Sequence, residues 1–180
     1  MGCFYFVRHG ETVWNVADKI CGMTDIPLTE RGHAQAIETG KKIRALGIHA
    51  DEILYSPLSR AADTARHISA CTGIPVRAEP RLIEMNFGRY EGTSRSGAAF
   101  AEEKKIIAGR FGSGESMLHA AQRIYNLLDE LKAEPEKTRI LVAHNGLARI
   151  VESYFREMDN DTFSAFGVDN CAVVRYDFPD

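Results

Sequence analysis

Three apolar runs in this chain each end in a short polar cluster, and that pattern constrains the fold more than any other feature. Cys3–Val7 runs into Arg8-His9-Gly10, Glu52–Tyr55 into Ser56-Pro57-Leu58-Ser59-Arg60, and Arg139–Ala143 into His144-Asn145-Gly146. Helical patterns fill the stretches between them. Thr29 caps a helix reaching about Leu46, where Gly47 stops it. Ser56-Pro57 reads as a helix cap with proline in the first turn, for a helix that presents Ala61, Ala65 and Ile68 and stops near Gly73-Ile74-Pro75. Pro80–Gly92 looks irregular, a short helix is expected over Ala98–Ala108, and Gly112-Ser113-Gly114 reads as a loop. The next helix carries Leu118, Ala121, Tyr125 and Leu128 at core spacing, and a later one carries Leu147, Ile150, Val151 and Tyr154. Cys171–Phe178 is expected as a last strand at a sheet edge. Strands that alternate with helices imply an α/β fold with a mostly parallel sheet. With no repeat or linker, residues 1–180 are expected to form one domain.

In an open parallel sheet, ligands bind beyond the carboxyl ends of the strands. The three clusters are therefore expected to face one crevice and to bring two arginines and two histidines into it. That set suits a phosphoryl group, because a guanidinium offers a rigid fork of donors to phosphate oxygens. Arg60 would also lie in the first turn of its helix, where backbone N–H groups favour an anion. Each residue alone has an ordinary structural explanation; the convergence of three strand ends carries the argument.

The overall charge does not supply the attraction. The 180 residues carry a formal net charge of −3 and a pI near 6.1, which argues against a nucleic-acid or membrane surface. A local positive pocket must draw the anion. The N-terminal apolar run lacks a basic lead and a cleavage site, and Gly2-Cys3 lacks the Ser or Thr that myristoylation needs at position six. Cys3, Cys21, Cys71 and Cys171 form no CxxC pair and read as free buried thiols of a cytoplasmic protein. No histidine–carboxylate set has metal-ligand spacing and no nucleotide-type glycine loop is present, so neither metal nor cofactor is expected.

Arg8-His9-Gly10-Glu11-Thr12, with Trp14-Asn15, resembles the signature of the histidine phosphatase superfamily, in its phosphoglycerate-mutase-like branch. Four further blocks follow in that family's order. They are Thr24–Gly32 with Gln35-Ala36, Ser56–Ala61 with Asp63-Thr64-Ala65, Leu82-Ile83-Glu84 with Phe87-Gly88 and Glu91-Gly92, and Gly114-Glu115-Ser116 leading to Val142–Gly146. One RHG triplet is weak evidence; ordered blocks along nearly the whole chain are specific.

The resemblance implies a three-layer α/β/α architecture and a division of roles. His9 would attack phosphorus and carry the phosphoryl group. Arg8, Arg60 and His144 would hold the equatorial oxygens, and Asn15 would add a donor. Asn145 is also placed among the substrate-binding residues. It stands where many relatives have a second glycine, a departure expected to leave activity intact. Glu84 would protonate the leaving group and then deprotonate water, and Glu91 is a weaker rival for that role.

Other residues read as structural: Gly10 as the place where the backbone turns near phosphate, Glu11, Thr12, Glu115 and Ser116 as helix-start residues, and His33, His49, His67 and His119 as solvated. Residues 93–111 fit the family pattern poorly and are expected to cover the site. The implied activity is hydrolysis of a small phosphorylated metabolite by a monomer or homodimer. The alternatives are phosphoglycerate mutase action, a specific α-ribazole phosphatase, and a binding module without catalysis. The last conflicts with the presence of the full set of reactive residues. Only 22 residues, including Gly97, Gly109, Gly112 and Gly114, separate Gly92 from Glu115, which favours hydrolysis over a sealed mutase site.

Overall fold

The computed structural model describes residues 2–179. Its strands are β1 (Cys3–Arg8), β2 (Glu52–Tyr55), β3 (Val76–Ala78), β4 (Arg139–Ala143) and β5 (Val173–Asp177), in the spatial order β3-β2-β4-β1-β5. All neighbours pair in parallel except β5, which runs antiparallel along the outer side of β1. β4 lies near the centre, and its five residues are all buried, as a strand covered on both faces requires.

Successive side chains of each strand alternate between the two faces. Val7, Ile53, Ile140 and Val142 pack with Ile43 of α2 (Glu30–Ala45) and with Ala61, Ala65 and Ile68 of α3 (Ser59–Thr72). Phe4, Phe6, Leu54 and Leu141 pack on the other face. Their partners there are Ile124, Leu127 and Leu128 of α5 (Met117–Lys132) and Leu147 and Ile150 of α6 (Asn145–Phe155). The result is the expected three-layer α/β/α arrangement with a mostly parallel sheet.

Several local expectations need correction. α3 begins at Ser59, so Ser56 and Pro57 precede it; the carboxylate of Asp25 takes the Ser59 N–H and hydroxyl at 2.8 and 2.7 Å, doing from outside what a cap does. β3 extends the sheet where no strand is expected. The helix over residues 98–108 is shorter, spanning only Ala98–Glu103 (α4). The buried face of α5 is Met117, Ala120, Ile124, Leu127, Leu128 and Leu131, whereas Leu118 is 56% exposed. Two short helices, α1 (Val13–Val16) and α7 (Asn160–Ala165), have no clear sequence pattern. The four cysteines are free as expected, but half-buried rather than buried.

Candidate active site

The register of the sheet assembles the site. Arg8 pairs with Ala143 across β1 and β4, so the next residues along, His9 and His144, are neighbours, with ring centroids 5.1 Å apart. Tyr55 pairs with Val142 across β2 and β4, which brings Ser56 to the same rim. The Ser56 hydroxyl is 2.7 Å from His144 Nε2, and both residues are fully buried. The same hydroxyl accepts the Leu58 N–H at 3.4 Å. His144 Nδ1 is a buried atom with no protein partner among the described residues.

His9 is 5% exposed, and its Nδ1 lies 2.7 Å from the Gly10 carbonyl oxygen. A carbonyl only accepts, so Nδ1 carries the hydrogen and Nε2 keeps its lone pair. Burial, reinforced by the charges of Arg60 and Arg8, holds the His9 pKa well below 6.5. Burial and Arg60 do the same for His144. Both rings are therefore neutral at pH 7.

Gly10 also makes a close backbone approach. A Cβ there would lie 2.4 Å from the Gly32 carbonyl oxygen, so it lets the end of β1 meet the first turn of α2. Its N–H donates to Thr64 on α3 at 3.0 Å.

Arg60 is completely buried and donates to the carbonyls of Gly22 and Thr24 at 2.7 and 3.0 Å. It therefore braces the 22–24 loop as well as acting electrostatically on both histidines. Glu91 occupies the other side of that loop, accepting the N–H groups of Met23, Thr24 and Phe87 at 2.9, 2.8 and 3.2 Å and the Thr24 hydroxyl. This engagement gives Glu91 a structural task.

Glu84 is 3% exposed and accepts the N–H groups of Met85 and Gly146 at 2.8 and 2.9 Å. Gly146 also makes room for it, since a Cβ there would lie 2.4 Å from Glu84 Oε1. Burial raises the Glu84 pKa above 4.5, against the two backbone hydrogen bonds and the charges of Arg60 and Arg149.

Arg8 donates to the Val168 carbonyl at 2.6 Å, and the Val168 N–H in turn donates to Asn145 Oδ1 at 2.8 Å. Burial and the nearby Arg95 lower the Arg8 pKa to about 10, so it stays charged at neutral pH. Asn15 Oδ1 accepts from Thr12 N at 3.0 Å within a capping box and from Asn170 at 3.4 Å. Asn170 also donates to the His9 carbonyl at 2.8 Å. The oxygen of Asn15 is thus committed to structure, and its amide hydrogens are the part available as donors.

The cleft beside this cluster has a cavity volume of ≈ 190 Å³. Arg8, Glu84, Asn145 and Gly146 line it from the strand ends, and Phe87, Arg95, Phe100 and Lys104 from the 84–104 segment. Phe87, Phe100, Phe111 and Tyr90 pack edge to face or tilted, which anchors the 93–111 stretch as one wall.

Of the expected site residues, His9, Arg8, Arg60, Glu84 and His144 cluster, and Asn145 borders them. Sequence reasoning treats Ser56 only as a cap and passes over Asn170. The bond of Ser56 to His144 has no local signal, since 88 residues separate the two. Nor do His33 and His67 match the reading as solvated, because they are half-buried with Nδ1 and Nε2 2.9 Å apart.

The family model described as histidine phosphatase superfamily (branch 1) matches residues 4–180. The chain belongs to this superfamily. A protein of Erwinia tasmaniensis named "Probable phosphoglycerate mutase GpmB" is 35% identical to this histidine phosphatase over 96% of the chain and 83% of its own length. A mycobacterial glucosyl-3-phosphoglycerate phosphatase, solved with VO3, is similar in structure. Its TM-score is 0.85 at 27% identity, over 97% of this chain and 90% of that one. The phosphoserine phosphatase of Entamoeba histolytica, solved with 3-phosphoglyceric acid, has a TM-score of 0.84 at 28% identity, over 99% and 91% of the two chains. No helix among the described residues of this histidine phosphatase is long and apolar enough to cross a membrane.

Proposed function

We propose that the chain hydrolyses phosphate monoesters of small metabolites through a phosphohistidine on His9. The tautomer of His9 carries this reading: a neutral ring with Nδ1–H tied to a carbonyl offers Nε2 as the nucleophile. Nε2 attacks phosphorus and the ester O–P bond breaks. Glu84, which burial biases toward its protonated form, gives its hydrogen to the leaving alkoxide. The resulting carboxylate then takes a proton from water, whose oxygen attacks phosphorus as the P–Nε2 bond breaks. Inorganic phosphate leaves, and His9 and Glu84 return to their starting forms. Arg8, Arg60 and His144 hold the equatorial oxygens, and the Asn15 amide adds a donor. Asn145 orders the backbone that holds Arg8.

The phosphatase identity of the two solved relatives supports hydrolysis. The names of curated relatives favour a second reading, a phosphoglycerate mutase with the same histidine. Labelled substrate is expected to leave acid-labile, alkali-stable label on the protein, and His9→Ala to lose both label and turnover; full turnover in that variant would refute the assignment. With 3-phosphoglycerate and catalytic 2,3-bisphosphoglycerate, conversion to 2-phosphoglycerate much faster than phosphate release from any ester would establish the mutase instead.

A further inference from the structure

The cleft wall away from the strand ends carries more positive charge than one phosphoryl group requires. Arg149, on α6, is 6% exposed and lines the cleft. Its Nε is buried without a protein partner, and one terminal nitrogen donates to the Ser164 carbonyl at 3.2 Å. Lys104, just after α4, lines the same wall and donates to the same carbonyl at 2.7 Å. Arg95 completes the wall and donates to the Lys19 carbonyl at 3.0 Å.

None of these three cations forms an ion pair among the described residues, although fourteen ion pairs occur elsewhere. The one carboxyl group in the wall is Glu84, which burial biases toward its neutral form. A buried cation with only a neutral carbonyl for company is costly unless an anion joins it. Burial lowers the Arg149 pKa, and burial with the charge of Arg149 brings Lys104 to about 8.

Position separates Arg149 and Lys104 from the transferred phosphoryl group, while Arg95 lies near enough for its charge to act on Arg8 and His9. Arg8 and Arg60 belong to the strand-end cluster around His9. Arg149 follows Asn145 by four residues on α6, about 6 Å along the axis and on the same face of the helix. Phe87, Phe100 and Ile20 line the cleft as well, so a short carbon skeleton finds apolar contacts there.

We infer that Arg149 and Lys104, with Arg95 beside them, form a second anion subsite, so that the preferred substrate is a phosphate monoester bearing a further carboxylate or phosphate a few bonds from the scissile ester. The inference rests on the phosphomonoesterase reading above and names its substrate class.

The test compares matched pairs. 3-Phosphoglycerate and glycerol 3-phosphate differ by a carboxylate in place of a hydroxymethyl group; fructose 1,6-bisphosphate and fructose 6-phosphate differ by a second phosphate. At least one pair is expected to favour the doubly anionic member in kcat/KM by roughly ten- to a hundredfold, the scale of one or two charge-assisted hydrogen bonds. The favoured pair identifies the second group. Lys104→Met and Arg149→Met are expected to shrink that ratio, chiefly through KM, and Lys104→Arg to keep most of it. Arg149 is buried, so Lys104→Met, on the half-buried segment, keeps the test open if the other variant does not fold. Ratios under threefold for both pairs, or a ratio that survives both methionine substitutions, overturn the inference. If no ester releases phosphate, the hydrolase reading fails by itself. Calorimetric Kd values for the same pairs on His9→Ala then read the subsite without turnover.

Discussion

At the scale of single residues, the proposed chemistry depends on two imidazoles kept neutral and one carboxyl group kept protonated, all by burial. Glu84→Gln is expected to slow the first step strongly for alkyl phosphates and weakly for activated aryl phosphates, whose leaving groups need little protonation. Single-turnover rates with both ester types check this; equal losses would remove Glu84 from the role of acid. The pH profile provides a second check. The burial-raised pKa of Glu84 places the fall in first-step rate on the alkaline side of 4.5, and Glu84→Gln should abolish that fall. Ser56 matters in a different way, as the hydrogen-bond partner that holds the His144 ring at Nε2. Ser56→Ala leaves a fully buried nitrogen unpaired, at a cost of about 1–3 kcal/mol in stability. It is also expected to lower kcat more than it raises KM, and Ser56→Thr should restore part of both. Denaturant unfolding and steady-state kinetics on the two variants measure the effects separately.

At the scale of elements, the start of α6 and the loop before β5 act together on Arg8. Asn145→Ala removes the acceptor of the Val168 N–H and should loosen the carbonyl that holds Arg8. A rise in KM for phosphate esters of about two- to tenfold is expected, from the loss of roughly one hydrogen bond's worth of positioning. An unchanged KM would show that the loop orders itself without Asn145.

This linkage also shows where sequence reading reaches its limit. β1, β2 and β4 are legible because each is an apolar run ending in a polar cluster, and their parallel order follows from the helices between them. β3 is illegible because Val76, Arg77 and Ala78 are all exposed and pair with β2 alone, so no apolar pattern marks them. α5 offers two apolar stripes one residue apart, and only packing against the sheet selects Met117 over Leu118. The five principal site residues are legible through strand ends and motif blocks. Ser56 as partner of His144, and Asn170 as the link from His9 to Asn15, depend on chain segments that meet only in the folded protein.

At the scale of the whole molecule, the buried histidines tie stability to pH. In the folded chain the pKa values of His9 and His144 lie well below 6.5, while in the unfolded chain both return to about 6.5. Below pH 6.5 the unfolded state therefore binds protons that the folded state refuses, and stability falls as pH falls. Each histidine contributes up to about 1.4 kcal/mol per pH unit in that window. Glu84 acts in the opposite sense, because its raised pKa makes the folded state hold a proton more tightly as pH drops toward 4.5. With two histidines against one carboxyl group, Tm should decline from pH 7 to pH 5.5. Replacing both histidines by asparagine should flatten that decline. Calorimetric scans across the range provide the measurement, and an equal slope in the double variant would count against the burial argument.

β1 is hydrogen-bonded on one side to β4 and on the other to β5, so both its ladder partners lie more than 130 residues further along the chain. Until β4 and β5 are made, β1 has no strand to pair with. An unpaired apolar strand of this kind is a target for aggregation. β1 is therefore open to such pairing until residues 139–177 are made, and His9 gains His144 as a neighbour only then.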